Sequence, residues 1–136
     1  MATLNMVIGC GRLGANVASM FSSKGMDVVT IDISRDAFDR LSQSYTGFTV
    51  EADACDIRAL EKADIKKTGA VLVATGDDNI NIMVSQIAKV IYGVPTVVTR
   101  LYDPKKEILL KDSEIGVINP EKLEAGAFRE ILGMGD

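Results

Sequence analysis

The residues best suited to chemistry are Gly9-Cys10-Gly11-Arg12-Leu13-Gly14, followed further on by an isolated acidic residue, Asp32. Three glycines at this spacing, directly after an apolar run and opening a segment of helical period, suit a phosphate. The first permits a tight turn, the second lets backbone approach a pyrophosphate, and the third lets the helix lie close to the strand. Loop N–H groups and the helix N-terminus supply the positive end that a phosphate needs. A purely structural glycine turn is the plain alternative. Arg12 adds a guanidinium, which takes two phosphate oxygens at once; the competing reading is a solvated arginine. The helix dipole alone disfavours a cation there, so a bound anion would relieve a small conflict.

Asp32 closes the apolar run VVTID and is followed by Ile33 and Ser34. A carboxylate at this place accepts hydrogen bonds from both hydroxyls of an adenosine ribose, or else serves as a strand-end cap. The first role favours NAD, ATP, ADP or AMP over NADP, whose 2'-phosphate Asp32 would repel, although Arg35 softens that discrimination.

The elements that must position these groups follow from hydropathy. Short runs rich in Val, Ile and Thr at 4–9, 27–32, 46–50, 70–74, 96–99 and 116–118 alternate with segments of helical period. That alternation predicts an α/β fold, a Rossmann-type doubly wound sheet of about six parallel strands with about six helices covering both faces. Most of the runs lack polar alternation, as strands buried on both faces do. Leu13, Val17, Met20 and Phe21 share one helical face, and a less regular helix is expected near 35–43. Ile80, Met83, Val84, Ile87, Ala88 and Ile91 form the core stripe of a further helix, while Ile82 and Val90 make it apolar on a second side. Deep packing explains such a second face, and so does a subunit contact. Asp103-Pro104 and Asn119-Pro120 mark two more helix starts. Thr75 and Gly76, just past Ala74 at the end of the fourth strand, lie where open α/β sheets bind ligands.

Bulk properties narrow the function. A chain of 136 residues is one domain, 1–136, able to bury roughly two-thirds of its unfolded surface. Its 47% hydrophobic and 25% charged residues exclude a disordered chain. A net charge of −4 without a long Lys/Arg run argues against nucleic acid or a lipid surface as partner. No apolar run approaches the roughly 20 residues of a membrane span, and the first residues read as a strand, so direct membrane insertion is not expected. Two cysteines without CxxC spacing suit the cytoplasm. The absence of histidine removes Ser-His, Cys-His and histidine-zinc chemistry, so no catalytic residue and no enzyme activity is expected.

Three further groups have competing readings. Asp77, Asp78, Asn79 and Asn81 gather oxygen ligands for a divalent cation, but capping a helix is the more economical account, with Asn81 fixing the loop; no metal site is expected. Glu121 sits at another helix start, where it caps, joins a subunit contact or holds a cation beside nucleotide phosphates. Cys10 and Cys55 either sense oxidation or pack as small residues, and no basic pattern marks a lowered pKa.

Taken in order, GCGRLG, VVTID, ADA at 52–54, ATGDDNIN at 74–81, VTR at 98–100 and INPE at 118–121 resemble the KTN (RCK N-terminal, Trk-type) family. The resemblance implies a cytoplasmic, nucleotide-sensing Rossmann domain that regulates a potassium channel or transporter, peripheral at the inner face of the membrane through that partner. It implies NAD/NADH or ATP/ADP as ligand, with AMP also admitted, and a homodimer or larger ring. It places Asp53 and Ala54 beside the adenine and turns Arg100 toward the cleft. Ala52 departs from the glycine often found there, and the C-terminal RCK domain of many relatives is absent from these residues. The alternatives are a stand-alone NAD-binding module with a soluble partner, and the detached cofactor domain of a dehydrogenase.

Overall fold

The structure, a computed structural model, describes residues 3–135. Its elements run β1 (Leu4–Ile8), α1 (Arg12–Ser23), β2 (Val28–Asp32), a 3-10 helix (Arg35–Arg40), β3 (Phe48–Glu51), α2 (Ile57–Lys62), a short 3-10 turn (Ile65–Lys67) and β4 (Thr68–Val73). Then follow α3 (Asp78–Gln86), continued by a π-helical stretch (Ile87–Ile91), β5 (Thr96–Arg100), a 3-10 helix (Pro104–Leu110), β6 (Gly116–Ile118) and α4 (Pro120–Ile131).

All six strands pair in parallel, in the order β3-β2-β1-β4-β5-β6. The order turns back on itself between β1 and β4, which opens a crevice beyond their carboxyl ends. Alternate residues of the central strands feed two cores. Met6, Ile8, Ile31, Val71, Val73 and Val97 meet Leu60 of α2, Val84 of α3 and Ala88 of its π-helical continuation. Val7, Val28 and Leu72 meet Ala18, with Leu13, Val17 and Phe21 of α1 packed around them. The expected doubly wound α/β architecture is therefore present, with helices on both faces.

Three expectations about helices need correction. Met20 is 53% exposed, because α1 meets the sheet through Ala18 with Leu13, Val17 and Phe21 around it, and Ala15 turns instead to Cys10 and Ala37. In α3 the buried residues are Asn81, Ile82, Val84 and Ser85, followed by Ala88, whereas Met83 and Ile91 face solvent. The stripe is rotated because Asn81 is tied into the sheet ends and Ser85 Oγ donates to the Asn81 carbonyl at 2.6 Å. Finally, the helix expected over 35–43 is a six-residue 3-10 helix that stops at Leu41, where ψ turns to 148°. Its N-cap residue, Ser34, makes no side-chain cap bond, whereas the equally short α2 is capped by Asp56.

Candidate functional site

The loop after β1 is built by contact as much as by conformation. Gly9 has φ +97°, and a Cβ there would collide with the Ala74 carbonyl and lie 2.8 Å from Thr75 N, so β1 and β4 abut only because this residue has no side chain. A Cβ on Gly14 would run into the Gly9 carbonyl oxygen, which explains the third glycine by close packing of α1. Gly11 is different. Its φ is −80° and a Cβ would meet nothing within 4 Å, so neither its conformation nor the protein's own packing calls for glycine.

Gly11 is also the N-cap of α1 and offers no side chain to the free N–H groups, and the first turn carries no acidic residue. The other α-helices begin differently. Asp56 caps α2 by accepting from Arg58 N, Asp77 caps α3 by accepting from Asn79 N and Ile80 N, and Asn119 caps α4 by accepting from Lys122 N. The unsatisfied positive end of α1 faces the crevice.

Asp32 stands across from it at the end of β2. Its Oδ2 accepts from Cys10 N at 2.8 Å and its Oδ1 from Ser34 N at 2.8 Å. Each carboxylate oxygen keeps further acceptor capacity for a ligand hydroxyl.

These groups border a cleft of about 530 Å³. Of the residues singled out from the sequence, Gly9, Cys10, Gly11, Arg12, Asp32, Ile33, Ser34, Asp53, Ala54, Ala74, Thr75, Gly76 and Arg100 all line it. Leu13 and Gly14 are not on its wall: Leu13 packs into the α1-side core and Gly14 is buried under the loop. Glu121 is exposed in the first turn of α4, away from the cleft wall. Sequence reasoning missed Ala37, Arg40, Ile80 and Tyr102, which also line the cleft. One of them was accessible by spacing, since Tyr102 follows Arg100 by two.

The acidic residues on the cleft wall, Asp32 and Asp53, stand at the end of β2 and just after β3, while the arginines are spread around it: Arg12 on the first turn of α1, Arg40 at the end of the 3-10 helix between β2 and β3, and Arg100 at the end of β5. Arg12 is exposed and makes no ion pair with the described residues. Arg40 Nη1 donates to the Cys10 carbonyl at 3.4 Å. Arg100 Nη2 donates to the Thr75 carbonyl at 3.1 Å, its Cζ lies 4.6 Å from the centre of the Tyr102 ring, and its buried Nε has no partner.

The acidic and amide groups after β4 are structural. The fully buried Asn81 accepts from Thr75 N at 2.9 Å and Thr75 Oγ1 at 2.6 Å, and its Nδ2 donates to the carbonyls of Thr75 and Arg100. It thus clasps the ends of β4 and β5. Asp78 accepts from Tyr102 N and Asp103 N, both at 2.9 Å, and so holds the chain leaving β5. Cys10 is fully buried; burial, and then the charge of Asp32, pushes its thiol pKa up against the opposing effect of Arg40. That is the setting of a packing cysteine.

Comparison with known proteins agrees with this geometry. Residues 5–120 match the TrkA-N domain family. A "Trk system potassium uptake protein TrkA homolog" from Pyrococcus horikoshii is 33% identical over 96% of this chain, which spans 60% of that relative's length. Among solved structures, the TrkA-N domain of inner membrane protein ybaL from Escherichia coli superposes with a TM-score of 0.84 at 15% identity, covering 97% of this chain and 98% of that one. The GsuK channel bound to NAD superposes with a TM-score of 0.80 at 21% identity, over 96% of this chain and 23% of that one. With the fold shared and the match running from β1 to the start of α4, the chain belongs to the TrkA-N domain family.

Proposed function

We propose that the cleft binds an adenine nucleotide, NAD or NADH, ATP or ADP, with AMP as the smallest form that fits, and that its occupancy regulates potassium uptake. The observation that carries this reading is the uncapped N-terminus of α1 beside Gly11, the loop glycine that the protein's own packing does not explain. A pyrophosphate would sit on the N–H groups of that turn, with Arg12 beside it, and Asp32 would hold the adenosine ribose. Asp53 and Ala54 flank the adenine side, and Thr75, Gly76 and Arg100 border the other half. The relatives named for potassium uptake and the NAD-bound GsuK channel support the assignment.

The domain acts as a sensor and performs no turnover. Ligand exchange does work here only through unequal affinity for two conformations, since equal binding to both shifts nothing. The partner is a membrane-embedded potassium channel or transporter subunit, contacted from the cytoplasmic side, and no helix among the described residues is long and apolar enough to cross a membrane. Residues 1–136 serve as one nucleotide-binding unit in a homodimer or larger ring. Exposed apolar residues on α3 and its extension, Met83, Val90 and Ile91, and on α4, Leu123, Phe128 and Ile131, are area that a second copy would cover.

Calorimetric titration with NAD, NADH, ATP, ADP and AMP tests the reading. Saturable heats for at least one of them, without turnover of a nicotinamide substrate, are expected. Flat traces for all five overturn it.

A further inference from the structure

A second groove, of about 720 Å³, lies outside the crevice, between α1 and the segment that follows the first 3-10 helix. One wall is a stripe along α1 made by Arg12, Asn16, Ser19, Met20 and Ser23, and the other is Arg40, Ser42 and Ser44. The walls are pinned together where Ser42 N donates to Ser19 Oγ at 3.1 Å, and again where Thr46 N donates to Ser22 Oγ at 2.9 Å. The shape of the groove is thus set before any ligand arrives. Its chemistry is graded along its length. At the end nearest the phosphate loop stand Arg12, at the start of α1, and Arg40, whose Nη1 donates to the Cys10 carbonyl. Neither makes an ion pair with the described residues, and no acidic residue among them lines the groove. Two uncompensated guanidiniums suit an anion with several oxygens.

Beyond the arginines the wall turns to hydroxyls and an amide. Asn16 is exposed, and Ser19 Oγ, which accepts from Ser42 N, keeps its hydrogen to donate. Ser42 Oγ and Ser44 Oγ pair at 2.9 Å, which leaves one hydroxyl hydrogen of the two free. Groups that both donate and accept match the hydroxyls of a ligand better than a second charge. Met20, 53% exposed on the same wall, offers contact to the C–H face of a sugar ring. We propose that this groove binds a sugar phosphate, with its phosphate between Arg12 and Arg40 and its hydroxyls along Asn16, Ser19 and Ser44. Arg12 and Arg40 also line the cleft. Two anionic groups drawing on one guanidinium repel each other, so an occupied groove weakens the hold on a phosphate in the cleft, and linkage makes the effect reciprocal. The domain thereby takes a second metabolic input. Binding in the groove is independent of what fills the cleft, whereas the competition rests on the nucleotide reading above.

The test is calorimetry and backbone amide NMR on the full chain with glucose 6-phosphate, glucose and inorganic phosphate, for the wild type and the double variant Asn16→Ala, Ser44→Ala. Both residues are exposed and neither is on the cleft wall, so the variant's NADH affinity and unfolding midpoint should match the wild type. Glucose 6-phosphate should bind saturably and shift the amides of Asn16, Ser19, Ser42 and Ser44, with inorganic phosphate weaker by at least about fivefold and glucose silent. The double variant should lose at least about fivefold in glucose 6-phosphate affinity. In the wild type, saturating glucose 6-phosphate should weaken NADH binding by about three- to tenfold. The groove site is overturned if glucose 6-phosphate does not bind, if it shifts only cleft residues such as Gly11 and Ser34, if inorganic phosphate binds as tightly, or if the double substitution leaves its affinity untouched. NADH affinity indifferent to glucose 6-phosphate overturns the competition. Absence of NADH binding overturns the nucleotide reading and leaves the groove to be decided by its own shifts.

Discussion

The backbone N–H of Cys10 donates to Asp32 Oδ2 at 2.8 Å, so the phosphate loop and the acidic end of β2 are held to each other directly. The carboxylate that would read a ribose also fixes the turn that would read a pyrophosphate. Asp32→Asn retains one acceptor oxygen for the two N–H groups now served, and should cost about 1.5–3 kcal/mol of stability in a urea titration. It should also weaken every adenosine ligand. Unchanged affinity with reduced stability would reduce Asp32 to a structural cap.

Two of the loop glycines, Gly14 and Gly11, should respond differently. Gly14→Ala pushes a methyl into the Gly9 carbonyl and is expected to destabilise the fold by about 1–3 kcal/mol, as overpacking does. Gly11→Ala meets open space, so its unfolding midpoint should stay within error of the wild type while nucleotide binding is lost. A Gly11→Ala protein that binds normally would remove the reason for glycine at that position.

Arg12 has no ion-pair partner among the described residues to lose. Arg12→Ala should leave AMP affinity nearly intact and weaken ATP by roughly tenfold, the order of one charge-assisted hydrogen bond. Equal losses for the two ligands, measured by calorimetry, would contradict a role in reading phosphate charge.

Asn81 carries the geometry of the β4 side. Asn81→Ala removes the side-chain partner of Thr75 N and of the Arg100 carbonyl, leaves Thr75 Oγ1 only its longer bonds to the Asp77 backbone, and should cost about 2–4 kcal/mol. An exposed capping residue makes a useful control. Asp56→Ala, at the start of α2, should cost only about 1 kcal/mol.

The two cysteines should separate by access. At pH 8, iodoacetamide should modify the exposed Cys55 and spare the buried Cys10 until the protein unfolds, as peptide mass mapping would show. Because burial raises the Cys10 pKa, the thiol is neutral and stabilising below the ordinary value of 9.0, and that contribution is lost as pH rises through the folded value. Stability should therefore fall above about pH 9, and less steeply in Cys10→Ala.

Much of this was legible in the chain because the signals are local. The six strands follow from Val- and Ile-rich runs, and Gly9 and Gly14 from a spacing whose causes, close contact with Ala74 and with α1, are the same wherever this turn forms. The face of α3 was not legible, since residues 80–91 are apolar on several sides and the choice among them is made by Asn81 bonding to the distant Arg100 carbonyl, with Ser85 satisfied inside the helix by the Asn81 carbonyl. Arg40 was hidden for a related reason. Its place on the cleft wall depends on a six-residue 3-10 helix whose bounds the irregular hydropathy of residues 35–43 does not define.

The central claim is that a nucleotide settles on the N-terminus of α1 beside Asp32. Backbone amide NMR during a titration with NADH tests it most directly. The account predicts that the resonances of Cys10, Gly11, Arg12, Leu13 and Ser34 shift together and saturate, and that Asp32→Ala abolishes the response. Unmoved spectra, or shifts confined to residues away from this loop, would contradict it.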